Sequence, residues 1–191
     1  MKDSIHCREF TVQQVRRMAV IPSHFTTNRV FRLEREAGPD GVGWRLQERE
    51  LPVPFAKEYD SGEPDQWLPT YTGTVPLLGL HFVGVERHGR IDGLLTWCAQ
   101  EWNNSAWLVD IRVRQEAQRA GLGTALINHL QGITHRGDAR GILVETQINN
   151  FPAISLYRRC GFQIAGFNDH LYTNRDLSEQ NVALFLFWES G

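Results

Sequence analysis

An α/β fold, with a mixed and mainly antiparallel central sheet flanked by helices, is predicted by three features of the 191-residue sequence. One strand, helix, strand unit spans 106–148, hairpin signals precede it, and two strand-like runs follow it. The length suits a single domain, residues 1–191, able to bury a substantial core.

The elements follow from local pattern. Cys7 to Phe10 is a short strand, and Thr11 N-caps a helix whose Val12, Val15 and Ala19 face the core until Pro22. Residues 24–38 mix Phe25, Val30 and Phe31 with arginines and glutamates, which predicts a helix or an irregular segment. Gly38-Pro39-Asp40-Gly41 is a turn. Trp44 to Val53 has an imperfect strand alternation, and Asp60 to Pro76, with Trp67 and Tyr71, is long for a connector and suits a functional loop or a surface excursion. Leu78 to Glu86 and Arg90 to Gln100 form a hairpin through His88-Gly89, and Asn103-Asn104-Ser105 turns the chain into a buried strand from Ala106 to Val113. A helix from about Ala117 to Gly132 carries Leu122, Leu126, Leu130 and Ile133 at offsets of four, four and three. Gly141 to Ile148 is the next strand. Asn150 then starts a helix with Ala153, Leu156, Tyr157 and Cys160 on one face and Gly161 as its C-terminal cap. Gln163 to Tyr172 and Asn181 to Trp188 close the sheet as antiparallel strands.

Composition narrows the class. With 41% hydrophobic and 22% charged residues the chain is an ordinary soluble globular protein, and a net charge of -2 gives no support for nucleic-acid binding. Lys2, Asp3, Arg8 and Glu9 interrupt any signal-peptide core, and the longest apolar run, Val182 to Trp188, is far short of the roughly 18 residues of a membrane span. Cys7, Cys98 and Cys160 fit neither a disulfide framework nor a metal site, so a reducing cytoplasm is expected; the seven histidines lack metal-ligand spacing.

The chemistry centres on Gln118-Arg119-Ala120-Gly121-Leu122-Gly123-Thr124, where strand becomes helix. The first turn of a helix has backbone N–H groups without carbonyl partners, and the macrodipole adds partial positive charge, so an anion is the natural occupant. Gly121 and Gly123 let phosphate oxygens approach the backbone, and Arg119 adds a charge-assisted contact. A Walker loop is excluded because no Gly-Lys-Ser/Thr follows, and Leu126 stands where a dinucleotide fingerprint has its third Gly or Ala.

Gln118-x-x-Gly121-x-Gly123, coupled to Asn150-x-x-Ala153-x-x-x-Tyr157-x-x-x-Gly161-Phe162, resembles the GNAT superfamily of N-acetyltransferases. Glu145-Thr146-Gln147, Asn149-Asn150, the Gly166 to Tyr172 segment and the Val182 to Phe185 run are similar to its streptothricin acetyltransferase branch. The likeness covers roughly residues 92–188. It implies a GNAT-like sheet splayed between the strands ending at Val113 and Ile148, acetyl-CoA as donor, and no metal. It also implies that backbone groups of Ile111, Arg112 and Val113 pair with the pantetheine arm, with the Val113 N–H polarising the thioester carbonyl. Gln118, Arg119, Ala120, Gly121, Leu122, Gly123 and Thr124 would hold the pyrophosphate, Asn150 and Ala153 would contact the pantetheine, and Tyr157 would protonate the leaving thiolate.

An amine of pKa about 10.4 is protonated at neutral pH, and stripping its proton costs roughly 4 to 5 kcal/mol. Asp110 and Glu145 are candidate bases, acting directly or through water; either could instead hold the cationic acceptor, a role as well suited to Glu145 as that of base. Between Lys57 and Arg87 no Lys or Arg occurs, whereas Glu58, Asp60, Glu63, Asp65 and Glu86 do, which suits a cationic amine. The expected protein is therefore an N-acetyltransferase of a small cationic amine such as streptothricin, working as a monomer or homodimer, without nucleic-acid or membrane partners. The alternatives are acetylation of a protein or peptide amine, and a non-catalytic acyl-CoA sensor.

Overall fold

A computed structural model describes residues 5–68 and 79–191. Tyr71, the rest of the predicted loop through Pro76, and Leu78 lie outside the described residues. The chain forms two compact units, one comprising Met1–His24, Glu58–Val144 and Trp188–Gly191, the other Phe25–Lys57 and Glu145–Phe187.

In the first unit, β1 (Arg8–Phe10) leads into α1 (Val12–Met18), and the sheet continues through β4 (His81–Arg87), β5 (Arg90–Gln100), β6 (Ser105–Val113) and the start of β7 (Gly141–Gln147). Only the β6–β7 pair is parallel there; β1–β4, β4–β5 and β5–β6 are antiparallel. Thr11 caps α1 as expected, its hydroxyl accepting from the Gln14 N–H at 3.3 Å while the Gln14 side chain accepts from the Thr11 N–H at 2.9 Å. Val15 and Ala19 are fully buried with Phe10, Ile21, Trp67, Phe82, Ile91 and Leu94.

Helix α2 runs over Leu122–Arg136, not from Ala117 to Gly132. Gln115–Ala117 form a 3-10 turn, and Gly121, at φ +90°, holds a left-handed conformation that an α-helix does not contain, so the helix starts after it. It passes Gly132 because the next turn buries Thr134, whose hydroxyl donates to the Leu130 carbonyl at 2.9 Å. Leu122, Leu126 and Leu130 are buried as the spacing requires. A Cβ on Gly93 would stand 3.2 Å from Leu126 Cδ1 and 3.5 Å from Leu122 Cδ2, so β5 is bare where α2 crosses it.

In the second unit, residues 24–38 are neither helical nor irregular: β2 (Ser23–Gly38) pairs with β3 (Gly41–Asp60) in a two-stranded sheet, turning at the expected Pro39-Asp40. Glu, Arg, Leu and Ala favour helix locally, but propensity is a weak prior against tertiary pairing. Here the Phe31 N–H donates to the Ile148 carbonyl at 2.9 Å, and the Gln180 amide clasps Leu33 by accepting from its N–H at 2.9 Å and donating to its carbonyl at 3.0 Å. β3 far exceeds the expected 44–53, and it accommodates Pro52 and Pro54 because a strand paired on one side does not need every N–H. The C-terminal part of β7 lies beside β9 (Ala183–Glu189), which pairs antiparallel with β8 (Gln163–Asn168). β8 stops short of the expected Tyr172, which belongs to a turn before the one-turn helix α4 (Asp176–Glu179). Helix α3 (Phe151–Arg159) occupies its predicted place, with Ile154 rather than Ala153 fully buried beside Tyr157.

Candidate active site

The first unit holds the expected cofactor-binding backbone. Along β6 the antiparallel ladder with β5 runs from Ser105 to Val113, but its register slips between Thr96 and Trp97, so that Val109 bulges between Leu108 and Asp110. The parallel ladder with β7 covers only Ala106 to Leu108, opposite Ile142 to Val144. Asp110, Ile111, Arg112 and Val113 all lie beyond the bulge.

From Val113 the chain enters an exposed loop that closes on itself: the Gln118 amide donates to the Val113 carbonyl at 3.2 Å. Arg119, at φ +60°, and Gly121 both take left-handed backbone. Leu122, Gly123 and Thr124 then form the first turn of α2, which has no side-chain cap and no acidic residue. Its N–H groups and the macrodipole are available to an anion.

The Arg112 side chain, missed by sequence reasoning, has its own task. Only 2% exposed, it donates to Asp110 Oδ2 at 2.5 Å and to Asp60 Oδ1 at 2.7 Å, and its guanidinium lies 4.4 Å from the Trp67 ring centroid. A proton on Asp110 would weaken this buried pairing, so of the two candidate bases Asp110 is the more firmly tied to structure. The acid-rich interval is also largely paired: Asp60 with Arg112, Asp65 with Arg16, and Glu86 with Arg8.

The second unit carries Glu145, Asn150, Ala153 and Tyr157. Asn150 is the N-cap of α3, its side chain accepting from the Ala153 N–H at 3.2 Å, which joins those two expected contact residues. At the other end the Phe162 N–H donates to the Tyr157 carbonyl at 3.1 Å and the Gly161 N–H to the Arg158 carbonyl at 3.1 Å, with Gly161 at φ +88°. This is a Schellman motif, and the Tyr157 and Phe162 rings, 5.8 Å apart and tilted, supply its hydrophobic contact. Tyr157 is therefore held by its backbone, its ring and its burial at 4% exposure.

Glu145 is half-buried on β7, and its Oε1 accepts from the Tyr172 phenol. Burial pushes its carboxyl above the ordinary glutamate range, with the Tyr172 hydrogen bond and the Lys57 charge working the other way. Burial likewise lowers the Lys57 ammonium, opposed by Glu145. Lys57 donates to Gln147 Oε1 at 2.6 Å and Asn181 Oδ1 at 3.1 Å. Neither Lys57 nor Tyr172 was identified as a partner of Glu145; the Leu171-Tyr172 element of the tail was the only signal. Among the described residues no group of His, Cys, Asp and Glu is arranged for a metal, and no helix is long and apolar enough to cross a membrane.

This bulged strand, anion loop and capped Tyr157 helix belong to a known class: the chain is a member of the acetyltransferase (GNAT) family, which it matches over residues 44–162. Its donor is acetyl-CoA and it is an N-acetyltransferase. It is 27% identical to a streptothricin acetyltransferase of Escherichia coli over 94% of this chain and 93% of that protein. Its fold superposes on a nourseothricin acetyltransferase with a TM-score of 0.76, 24% identity, and coverage of 97% and 98% of the two chains. A Bacillus anthracis protein described as a streptothricin acetyltransferase candidate, solved in complex with acetyl coenzyme A, gives a TM-score of 0.73 at 23% identity, covering 97% and 99%.

Proposed function

We propose that the acceptor is a small cationic primary amine of the streptothricin kind, acetylated by direct attack on the thioester. The observation that carries this reading is the near full-length similarity to the E. coli streptothricin acetyltransferase, which extends through the segments bearing Lys57, Glu145 and Tyr172. The pyrophosphate sits on the N–H groups from Gln118 to Thr124, with Arg119 adding charge, and Ile111, Arg112 and Val113 offer their backbone to the pantetheine, Asn150 and Ala153 contacting it from α3. The short β6–β7 ladder supports the pantetheine assignment, because the backbone beyond Leu108 is not committed to that pairing.

Glu145 is the base. A carboxyl raised by burial is closer to the operating pH than an ordinary one, and proton transfer is most effective there. It takes a proton from the substrate ammonium; the freed nitrogen lone pair attacks the acetyl carbon, and the Val113 N–H stabilises the oxyanion. As the C–S bond breaks the electron pair goes to sulfur and Tyr157 protonates the thiolate; the second proton, shed by the nitrogen as it becomes an amide, restores the Tyr157 phenol through water. Asp110 instead holds Arg112.

The test is acetyl-CoA turnover across a panel containing streptothricin, aminoglycosides, peptides and neutral arylamines. Highest kcat/KM for streptothricin or another small cationic amine is expected. Preferential acetylation of peptides would replace the reading with a protein amine acetyltransferase, turnover of neutral acceptors alone would overturn the cationic acceptor, and acetyl-CoA binding without any turnover would leave a sensor.

A further inference from the structure

Glu145 ends a chain of contacts that begins at a fully buried carboxylate. Asp176 accepts from the Tyr172 N–H at 2.8 Å through Oδ2, and from the Thr173 N–H at 2.8 Å and the Thr173 hydroxyl at 2.7 Å through Oδ1. Burial alone would raise the Asp176 carboxyl, but the donors from Tyr172 and Thr173 outweigh it and hold the group below its ordinary value. Asp176 is thus an ionised anchor for the backbone of the turn. The far side of that turn is also tied down, because the Asn181 N–H donates to the Asp176 carbonyl at 2.8 Å and Gln180 clasps Leu33 of β2.

The turn presents Tyr172, a residue still 37% exposed, so that its phenol reaches Glu145 Oε1. A ring this exposed gains little from packing there, whereas a hydrogen bond to one carboxylate oxygen fixes the rotation of the whole group. The other oxygen, Oε2, makes no hydrogen bond among the described residues. Charged and titratable groups acting on Glu145 are Lys57 of β3 and Tyr172 itself.

We infer that Tyr172 is a positioning residue for Glu145, that Asp176 holds Tyr172 in place, and that Oε2 is the oxygen that takes the proton from a cationic primary amine. The inference rests on Glu145 being the base. The phenol keeps its own proton throughout; the substrate ammonium gives one proton to Oε2, leaving a neutral amine and a protonated Glu145, which returns that proton to water after acetyl transfer.

The experiment compares wild type, Tyr172→Phe, Asp176→Asn and Glu145→Gln. Glu145 is titrated by NMR of carboxyl-labelled glutamate, assigned by its loss in Glu145→Gln, and kcat and KM are measured against pH with streptothricin. In Tyr172→Phe the ionised carboxylate loses a donor, so the Glu145 midpoint and the acid limb of kcat should both rise. Mispositioning should lower kcat by up to about 10²-fold while KM for acetyl-CoA is unchanged. Asp176→Asn, with the phenol intact, should move both quantities the same way; should it fail to fold, the exposed Tyr172→Phe site decides. An unmoved Glu145 midpoint with wild-type kcat in Tyr172→Phe overturns the positioning role. Wild-type turnover by Glu145→Gln instead sinks Glu145 as base and the role of Oε2 with it, whereas lost turnover in Glu145→Gln beside an unaltered Tyr172→Phe sinks the positioning role alone.

Discussion

Arg112 Nη1 lies 2.7 Å from Asp60 Oδ1, joining β6 to the end of β3 across 52 residues of sequence, with the arginine side chain 2% exposed. The same guanidinium holds Asp110, so one cation serves two carboxylates of the first unit. A buried pair broken on one side leaves its partner uncompensated, which matters more for stability than the strength of the intact pair.

Arg112→Met should therefore destabilise the fold by about 3–5 kcal/mol, since Asp60 and Asp110 lose their shared partner together. A urea denaturation curve checks it. The midpoint should fall with the slope unchanged, and a shift of only a few tenths of a molar would show that water screens these carboxylates.

Gly121→Val should cost about 1–2 kcal/mol, because a side chain at φ +90° is strained by its own backbone. Among the described residues a Cβ there would meet only Ile5 Cδ1, at an ordinary 3.5 Å. Acetyl-CoA affinity, measured by calorimetry, should drop well beyond what the stability loss explains. Wild-type affinity would remove the pyrophosphate from this loop.

Tyr157→Phe keeps the ring against Phe162 and the Schellman hydrogen bonds, and removes only the hydroxyl. Stability and acetyl-CoA binding should hold, while the chemical step falls about 10²- to 10⁴-fold. Rapid-quench measurement of acetyl transfer separates the step from product release. Unchanged chemistry would reduce Tyr157 to its packing role.

Lys57→Met removes the cation that favours ionised Glu145. The carboxyl, already raised by burial, should rise further, so the acid limb of kcat/KM should move to higher pH, with a basic limb that does not follow it. The pH profile on a cationic amine measures the shift. A limb that stays in place, or falls, would mean that Lys57 does not act on the group that titrates.

Much of the local structure around the candidate site was legible because its logic is local. A strand giving way to Gly-x-Gly and an amphipathic helix, and an Asn-capped helix closed by Cys160-Gly161-Phe162, depend on hydrogen bonds between residues at most five apart, such as Phe162 N–H to the Tyr157 carbonyl. The first strand of the β2–β3 hairpin was not legible. Its arginines, glutamates and leucine are good helix formers, and pairing with β3, together with the contacts to Ile148 and Gln180, makes the strand the better state. The pairing within the acid-rich interval was not legible either, since the arginines that meet Asp60, Asp65 and Glu86 lie elsewhere in the chain.

The sequence by itself determined where a left-handed glycine would open a helix and where Tyr157 would stand on α3, because helix periodicity, capping and left-handed glycine are properties of a few consecutive residues. Only the tertiary structure decided what surrounds Glu145 and Asp110. The two carboxylates look alike in sequence, but Asp110 lies beside a buried guanidinium while Glu145 meets a phenol 27 residues later and an ammonium from a distant hairpin. Desolvation and nearby charge set what a carboxylate does, and both come from whatever the fold packs around it.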